Sequence, residues 1–161
     1  MRRSNILISI ILLSIIFFNG CWYYSFTDKP YPDIETVEIV PFDNQTTEYD
    51  LGDRLTGDII DQVDGSGLLK VRNQNADSRI EGEVTSLKRS VHSYTEDETP
   101  EEYKVTIRAK ISFTDLNKDK ALWSSTFEGF GTYDAAAEDD QAITEALDLL
   151  IQRIIQRLRD G

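Results

Sequence analysis

The chain has 161 residues, 17 basic and 29 acidic, for a net charge of −12, with one cysteine and one histidine. So acidic a protein is a poor partner for nucleic acid, where neutralising phosphates dominates affinity. A single cysteine excludes an internal disulfide, and one cysteine with one histidine excludes a Cys/His structural zinc site.

The N-terminus starts with Arg2-Arg3 and continues as an apolar run from Ile6 to Phe18, broken only by Ser9 and Ser14, before Asn19-Gly20-Cys21. A spanning helix wants about 20 apolar residues. This shorter run behind a basic start reads as a secretory signal peptide, residues 1–20. Gly20 directly before Cys21 is where a lipoprotein signal peptidase would cut. Cys21 then becomes the first mature residue, its thiol carrying diacylglycerol and its new amine a further acyl chain such as palmitate. Each buried CH₂ contributes about 0.8 kcal/mol and one chain anchors only marginally, so two or three chains on one residue hold a protein at a membrane without a spanning helix. The alternative is an uncleaved anchor helix with an incidental cysteine. Phe18 and Asn19 depart from the usual lipobox, where Leu and a small residue stand. Trp22, in place of the aspartate that favours inner-membrane retention, permits transfer to the outer membrane. Removal of residues 1–20 leaves 141 residues, enough for one domain, and takes away Arg2 and Arg3, so the charge falls to −14. That charge does not draw the protein to anionic lipid, and the anchor must hold it there.

Residues 21–33 mix aromatics with Pro30 and Pro32 and read as a lipidated, extended tether. A single domain is expected over 34–161. Val37 and Ile39 alternate with polar residues in a short strand from Ile34 to Phe42, closed by Pro41 and the loop 43–46. A helix follows, with Thr47 as its expected cap and Leu51, Leu55, Ile59 and Val63 as one apolar stripe. Gly65-Ser66-Gly67 stops it, and Leu68–Val71 is a brief strand. Three longer strands come next. The first runs from about Ser78 to Val91, with its alternation slipping near Ser86-Leu87. In the second, Tyr103, Val105, Ile107, Ala109, Ile111 and Phe113 keep a strict period of two. The third, Leu122 to Tyr133, carries Trp123, Phe127 and Phe130. Ser93–Glu102 is expected as a long, exposed, acidic hairpin tip. A final helix, about Glu138 to Leu158, has acids at its start and arginines near its end, as the helix dipole prefers. The fold class is therefore α+β, a two-layer sandwich with two helices on one face of a mixed, mainly antiparallel sheet of about four strands.

No residue set points to catalysis, and the chain is not expected to be an enzyme or to hold a cofactor or metal. His92 lies beside Ser90 and Ser93 in sequence, but adjacency does not build a triad. Gly65-Ser66-Gly67 is too short for a phosphate loop, and Glu96-Asp97-Glu98 lacks an EF-hand pattern. The notable feature is local positive charge in an acidic protein. Lys104, Arg108 and Lys110 share the outer side of the cleanest strand, and Lys88 and Arg89 come from its neighbour with their facing left open by the slip. This is either an anion-binding surface or cross-strand pairing with Glu81 and Glu83.

Several segments, taken together, resemble the LptE family of lipopolysaccharide-assembly lipoproteins. Cys21-Trp22-Tyr23-Tyr24-Ser25-Phe26 is similar to the family's Cys-Gly-Tyr-Tyr-Ser-Phe opening, with Trp22 for glycine. Val37-Glu38-Ile39-Val40-Pro41-Phe42-Asp43-Asn44-Gln45-Thr46 is similar to its first strand and Pro-Phe-x-Asn-x-Thr exit, a motif shared with other envelope lipoproteins. Ile80–Leu87 with Tyr103–Ile107 resembles its central hairpin, and Leu122-Trp123 and the terminal helix complete the order. The resemblance implies a non-enzymatic outer-membrane protein that plugs the lumen of the large β-barrel LptD, helps it assemble, and assists insertion of lipopolysaccharide (LPS) into the outer leaflet. It implies contact of basic residues with LPS phosphates, carried to Arg108 and Lys110 first and to Lys88, Arg89 and Lys104 second. A lipoprotein that activates a periplasmic enzyme, or serves a different secretion pore, is the competing expectation.

Overall fold

The computed structural model describes residues 30–161. The expected signal peptide (1–20), Cys21 and residues 21–29 of the expected tether lie outside the described residues.

The elements in chain order are β1 (Thr36–Ile39), β2 (Asp43–Asn44), α1 (Leu51–Ser66), β3 (Lys70–Val71), β4 (Ser78–Tyr94), β5 (Pro100–Asp115), β6 (Lys120–Asp134) and α2 (Asp140–Asp160). The sheet runs β3-β1-β4-β5-β6, with β2 also paired to β4. β4, β5 and β6 form an antiparallel meander, while β1, β2 and β3 pair in parallel. Both described helices lie on one side, so the expected class holds, but among the described residues the sheet has six strands rather than about four. The extra count comes from β2 and β3, two residues each, too short to show any periodicity.

The core lies between this sheet and the helices. Val105, Ile107, Ala109, Ile111 and Phe113, the alternating row of β5, are each 0% exposed. Leu51, Leu55, Ile59 and Val63 of α1 close over the sheet, as do Ile143, Leu147, Leu150 and Ile154 of α2. α2 sits directly on β6. A Cβ on Gly129 would collide with the Ala146 carbonyl oxygen, and one on Gly131 with that of Ala142. These two glycines let helix and strand backbones approach where side chains would hold them apart.

Two boundaries differ from expectation. α1 begins at Leu51 rather than behind a Thr47 cap, and Asp50 at its N-cap makes no side-chain cap bond. The preceding residues are already bound in a turn. Asn44 Oδ1 accepts from the Thr46 N–H at 2.9 Å and the Thr46 hydroxyl at 2.8 Å, an Asx turn that keeps this stretch out of helix. The hairpin tip is also shorter than expected, because β4 runs to Tyr94 and β5 starts at Pro100. Residues 95–99 are closed by the Thr99 carbonyl accepting from the Thr95 N–H at 2.8 Å, with Glu98 in the left-handed region at φ 59°.

The opposite end of the sheet receives the described residues before β1. Tyr31 packs edge-on to Phe113 with ring centroids 5.1 Å apart, and its hydroxyl accepts from Trp123 Nε1 at 3.0 Å. Nearby, Asp77 gathers three segments. Its carboxylate accepts from the Glu35 and Thr36 N–H groups, the Thr36 hydroxyl at 2.7 Å and Asn117 Nδ2 at 3.2 Å. The Thr36 and Asn117 side-chain donors, with the backbone donors, hold its pKa down to about 2.

Candidate functional site

With both helices on one side, no described element covers the other side of the β4-β5-β6 meander, its open side. Which side chains stand there follows from register. On β5 the open side carries Lys104, Thr106, Arg108, Lys110 and Ser112, alternating with the buried row. On β6 it carries Ser124, Thr126, Glu128, Phe130 and Thr132.

β4 reaches that face through a bulge. Its pairing with β5 shifts between Val84 and Ser86, leaving Thr85 as the extra residue. Before the bulge Glu81 and Glu83 are on the open side; after it Ser86, Lys88 and Ser90 are. Had the alternation continued unbroken, Arg89 would stand on the open side and Lys88 on the other. A one-residue insertion exchanges the faces.

The bulge separates the five basic candidates. Lys88, Lys104, Arg108 and Lys110 come together on the open face. Arg89, opposite Val105, lies on the helix side. There it pairs with Asp139, just before α2, and with Glu48 at 3.1 Å. Its hydrogen bond to Asp139 is the main cause of its raised pKa. It joins β4 to the segments that precede both helices.

The remaining four differ in their neighbours. Arg108 stands opposite Glu128, with Nε 2.6 Å from Oε2. The Arg108 hydrogen bond lowers the Glu128 pKa, with smaller help from Lys104 and Arg153. Lys110 is directly opposite Glu83, with Asp43 and Glu81 lining the same surface depression. Arg108 is therefore matched by a carboxylate, whereas Lys110 has acidic neighbours but among the described residues no ion pair, Glu83 accepting instead from Gln45 Nε2. Lys88 faces Thr106, and Lys104 lies between Ser90 and Thr132. Among the described residues neither takes part in an ion pair. Lys104 Nζ lies 4.3 Å from the centre of the Phe130 ring, a cation–π contact. Phe130 itself is 41% exposed.

The open face thus has a half-neutralised lower part around Arg108 and Lys110. Above it is a cluster of two ammonium groups, four hydroxyls (Ser90, Thr106, Thr132 and, one row down, Ser86) and one exposed aromatic ring. This is chemistry for an anion with apolar surface beside it, since ammonium and hydroxyl donors take phosphate oxygens and Phe130 takes hydrocarbon. Sequence reasoning placed Phe130 with Trp123 and Phe127 and missed its role. Its even number, out of phase with Trp123 and Phe127, is the signal that it points the other way.

The other motifs resolve simply. His92 is exposed beside a second register shift, and among the described residues no hydrogen bond joins it to Ser90 or Ser93. Ser66 ends α1 and Gly67 follows in the left-handed conformation, φ 66°. Among the described residues no group of three or more His, Cys, Asp or Glu is placed to hold a metal ion. No described helix is long and apolar enough to cross a membrane.

A family model described as LptE, lipopolysaccharide-assembly, matches residues 34–158. Among curated proteins none matches the chain. Among solved structures, a hypothetical protein of Chlamydia trachomatis superposes with a TM-score of 0.63 at 9% identity, covering 78% of this chain and 96% of that one. The PelC dodecamer of Paraburkholderia phytofirmans gives 0.55 at 18% identity, covering 78% and 89%. A Xanthomonas campestris protein gives 0.53 at 12% identity, covering 78% and 82%. At these identities the likeness is one of fold.

Proposed function

The chain belongs to the LptE lipopolysaccharide-assembly family, and from that premise we propose that it is an outer-membrane lipoprotein that plugs and helps assemble an LptD-type β-barrel. In this reading residues 1–20 are the signal peptide, Cys21 is the lipidated residue, 21–33 form the tether and 34–161 the working domain. The family's task is assembly rather than catalysis. The observation that carries the proposal is the match of the family model across the whole folded domain.

The LPS contact we assign to the open face is centred on Lys88, Lys104 and Phe130, with Arg108 and Lys110 in supporting places. A net charge of −14 on the mature chain opposes attraction at long range, and screening at physiological salt acts over about 8 Å. The contact is therefore local. Two lysines flanked by hydroxyls meet phosphate more readily than Arg108, which would first give up Glu128, and than Lys110, which stands among the acids Glu83, Glu81 and Asp43.

The test has two arms. The tagged, lipidated protein is purified from the envelope in mild detergent, with recovery of the LptD-type barrel in near-equal ratio as the expected result. Recovery of a periplasmic enzyme or another pore without the barrel would assign the protein to a different pathway. In the second arm Lys88→Glu with Lys104→Glu is expected to abolish LPS binding by the folded protein, while Arg108→Gln with Lys110→Gln reduces it less. Unchanged binding by the first double variant would remove the open face from the mechanism.

A further inference from the structure

The sheet has two ends, and they are finished differently. β3 at one end is two residues long. β4 is covered on that side by β1 and β2 along its first half. β6 at the other end is 15 residues long and among the described residues pairs with β5 alone. Proteins blunt such edges with proline, lysine, bulges or short strands. Between Ala121 and Tyr133, β6 has no proline, lysine or arginine, and its only charge, Glu128, is engaged by Arg108. Among the described residues one side chain guards it: Arg153, from α2, donates to the Glu128 main-chain carbonyl.

We propose that the outer edge of β6 is a strand-addition site that takes an extended, largely uncharged segment of the barrel partner, main chain to main chain. The inference rests on the barrel reading above. The chemistry of the edge selects the occupant. A row of backbone donors and acceptors with no strand partner among the described residues is satisfied by another extended backbone. The neutral stretch from Ala121 to Phe127 favours a neutral segment, while Lys120 at one end and Asp134 at the other favour an acid and a base at its corresponding ends.

A second copy of this chain is a poor occupant. Pairing two β6 strands edge to edge about a twofold axis sets them about 4.8 Å apart, with both α2 helices on the same side of the joined sheet. Each α2 lies directly over its own β6, seated on Gly129 and Gly131. The two helices would be forced to about that same spacing, whereas packed helices need about 8–10 Å. A strand with no helix above it fits beneath the flank of α2. Arg153 then swings away from the Glu128 carbonyl, and an incoming N–H takes its place.

The full-length lipoprotein is co-expressed with the LptD-type barrel of the same cell and the complex purified. Amide hydrogen exchange is then read residue by residue over 121–133 in the complex and in the free protein. The expected result is slowing by about tenfold or more at alternate amides between Ser124 and Thr132, the signature of new ladder bonds on one side of a strand. An intact complex in which this alternating protection is missing overturns the strand-addition site and leaves the barrel reading standing. Failure to form any complex overturns both.

Discussion

On the helix side of β5, five apolar residues from Val105 to Phe113 are shut away from solvent. On its other side Lys104, Thr106, Arg108, Lys110 and Ser112 share an open face with hydroxyls, carboxylates and one phenyl ring. The two sides follow from one alternating sequence, yet they are legible to different degrees. An apolar row needs only to be covered, and any helix stripe of the right size will serve. A row of cations has no meaning until its cross-strand neighbours are known. Glu128 pairs with Arg108 and Glu83 stands opposite Lys110, while threonines and serines are the cross-strand neighbours of Lys88 and Lys104.

The comparison breaks most severely if the buried side is opened. Phe113→Ala removes a ring packed against Tyr31 and Trp123. It is expected to cost about 3–5 kcal/mol in chemical denaturation, against about 0.5 kcal/mol or less for Thr106→Ala on the open side. Comparable losses at the two positions would mean that the open face is covered in the folded protein.

Next in size is Gly129→Ala. The added methyl meets the Ala146 carbonyl, so α2 must lift from β6. A loss of about 1–3 kcal/mol is expected, with stability restored toward wild type by no surface change. Thr126→Ala on the same strand's open side should be close to neutral by the same measurement.

Polar residues also hold the fold where backbone donors gather them, and Asp77 sharpens the contrast with the open face. Its folded pKa, about 2, lies below the ordinary value of 3.8. Its contribution is therefore complete above about pH 4 and is lost as pH falls through about 2. Asp77→Asn is expected to lower the urea midpoint at neutral pH and to flatten its decline across that window. An unchanged acid profile would show that the carboxylate does not carry the clamp.

The smallest effect belongs to the pair on the open face. Arg108 and Glu128 are 48% and 38% exposed, and such pairs contribute about 0–1 kcal/mol. Arg108→Ala should scarcely move the midpoint. Glu128→Gln should leave stability alone while strengthening anion binding, because Arg108 then lacks its counter-ion.

Much of the fold was readable in advance. The period of two in β5 and the stripe from Ile143 to Leu158 in α2 are long, and each repeats its signal enough times to identify element and face. The shorter pieces were not readable. β2 has no pattern in two residues, and the Asx turn at Asn44 moved the start of α1 by competing locally for the same backbone groups. At the candidate site the residue types were visible but their arrangement was not. Arg89, a candidate for the basic face, stands behind the sheet and pairs with Asp139 and Glu48.

Local pattern by itself determined the strand and helix types, the apolar rows that had to meet, and an excess of acid that leaves any anion contact to a local patch. Those properties repeat along the chain, so each residue reports them without knowledge of its distant neighbours. Tertiary structure alone decided that Thr85 bulges, that Lys88 and Lys104 therefore share a face with Phe130, and that Gly129 and Gly131 seat α2 over β6, the last strand of the described sheet. Each of those depends on register between strands many residues apart, and a shift of one residue reverses every side chain that follows.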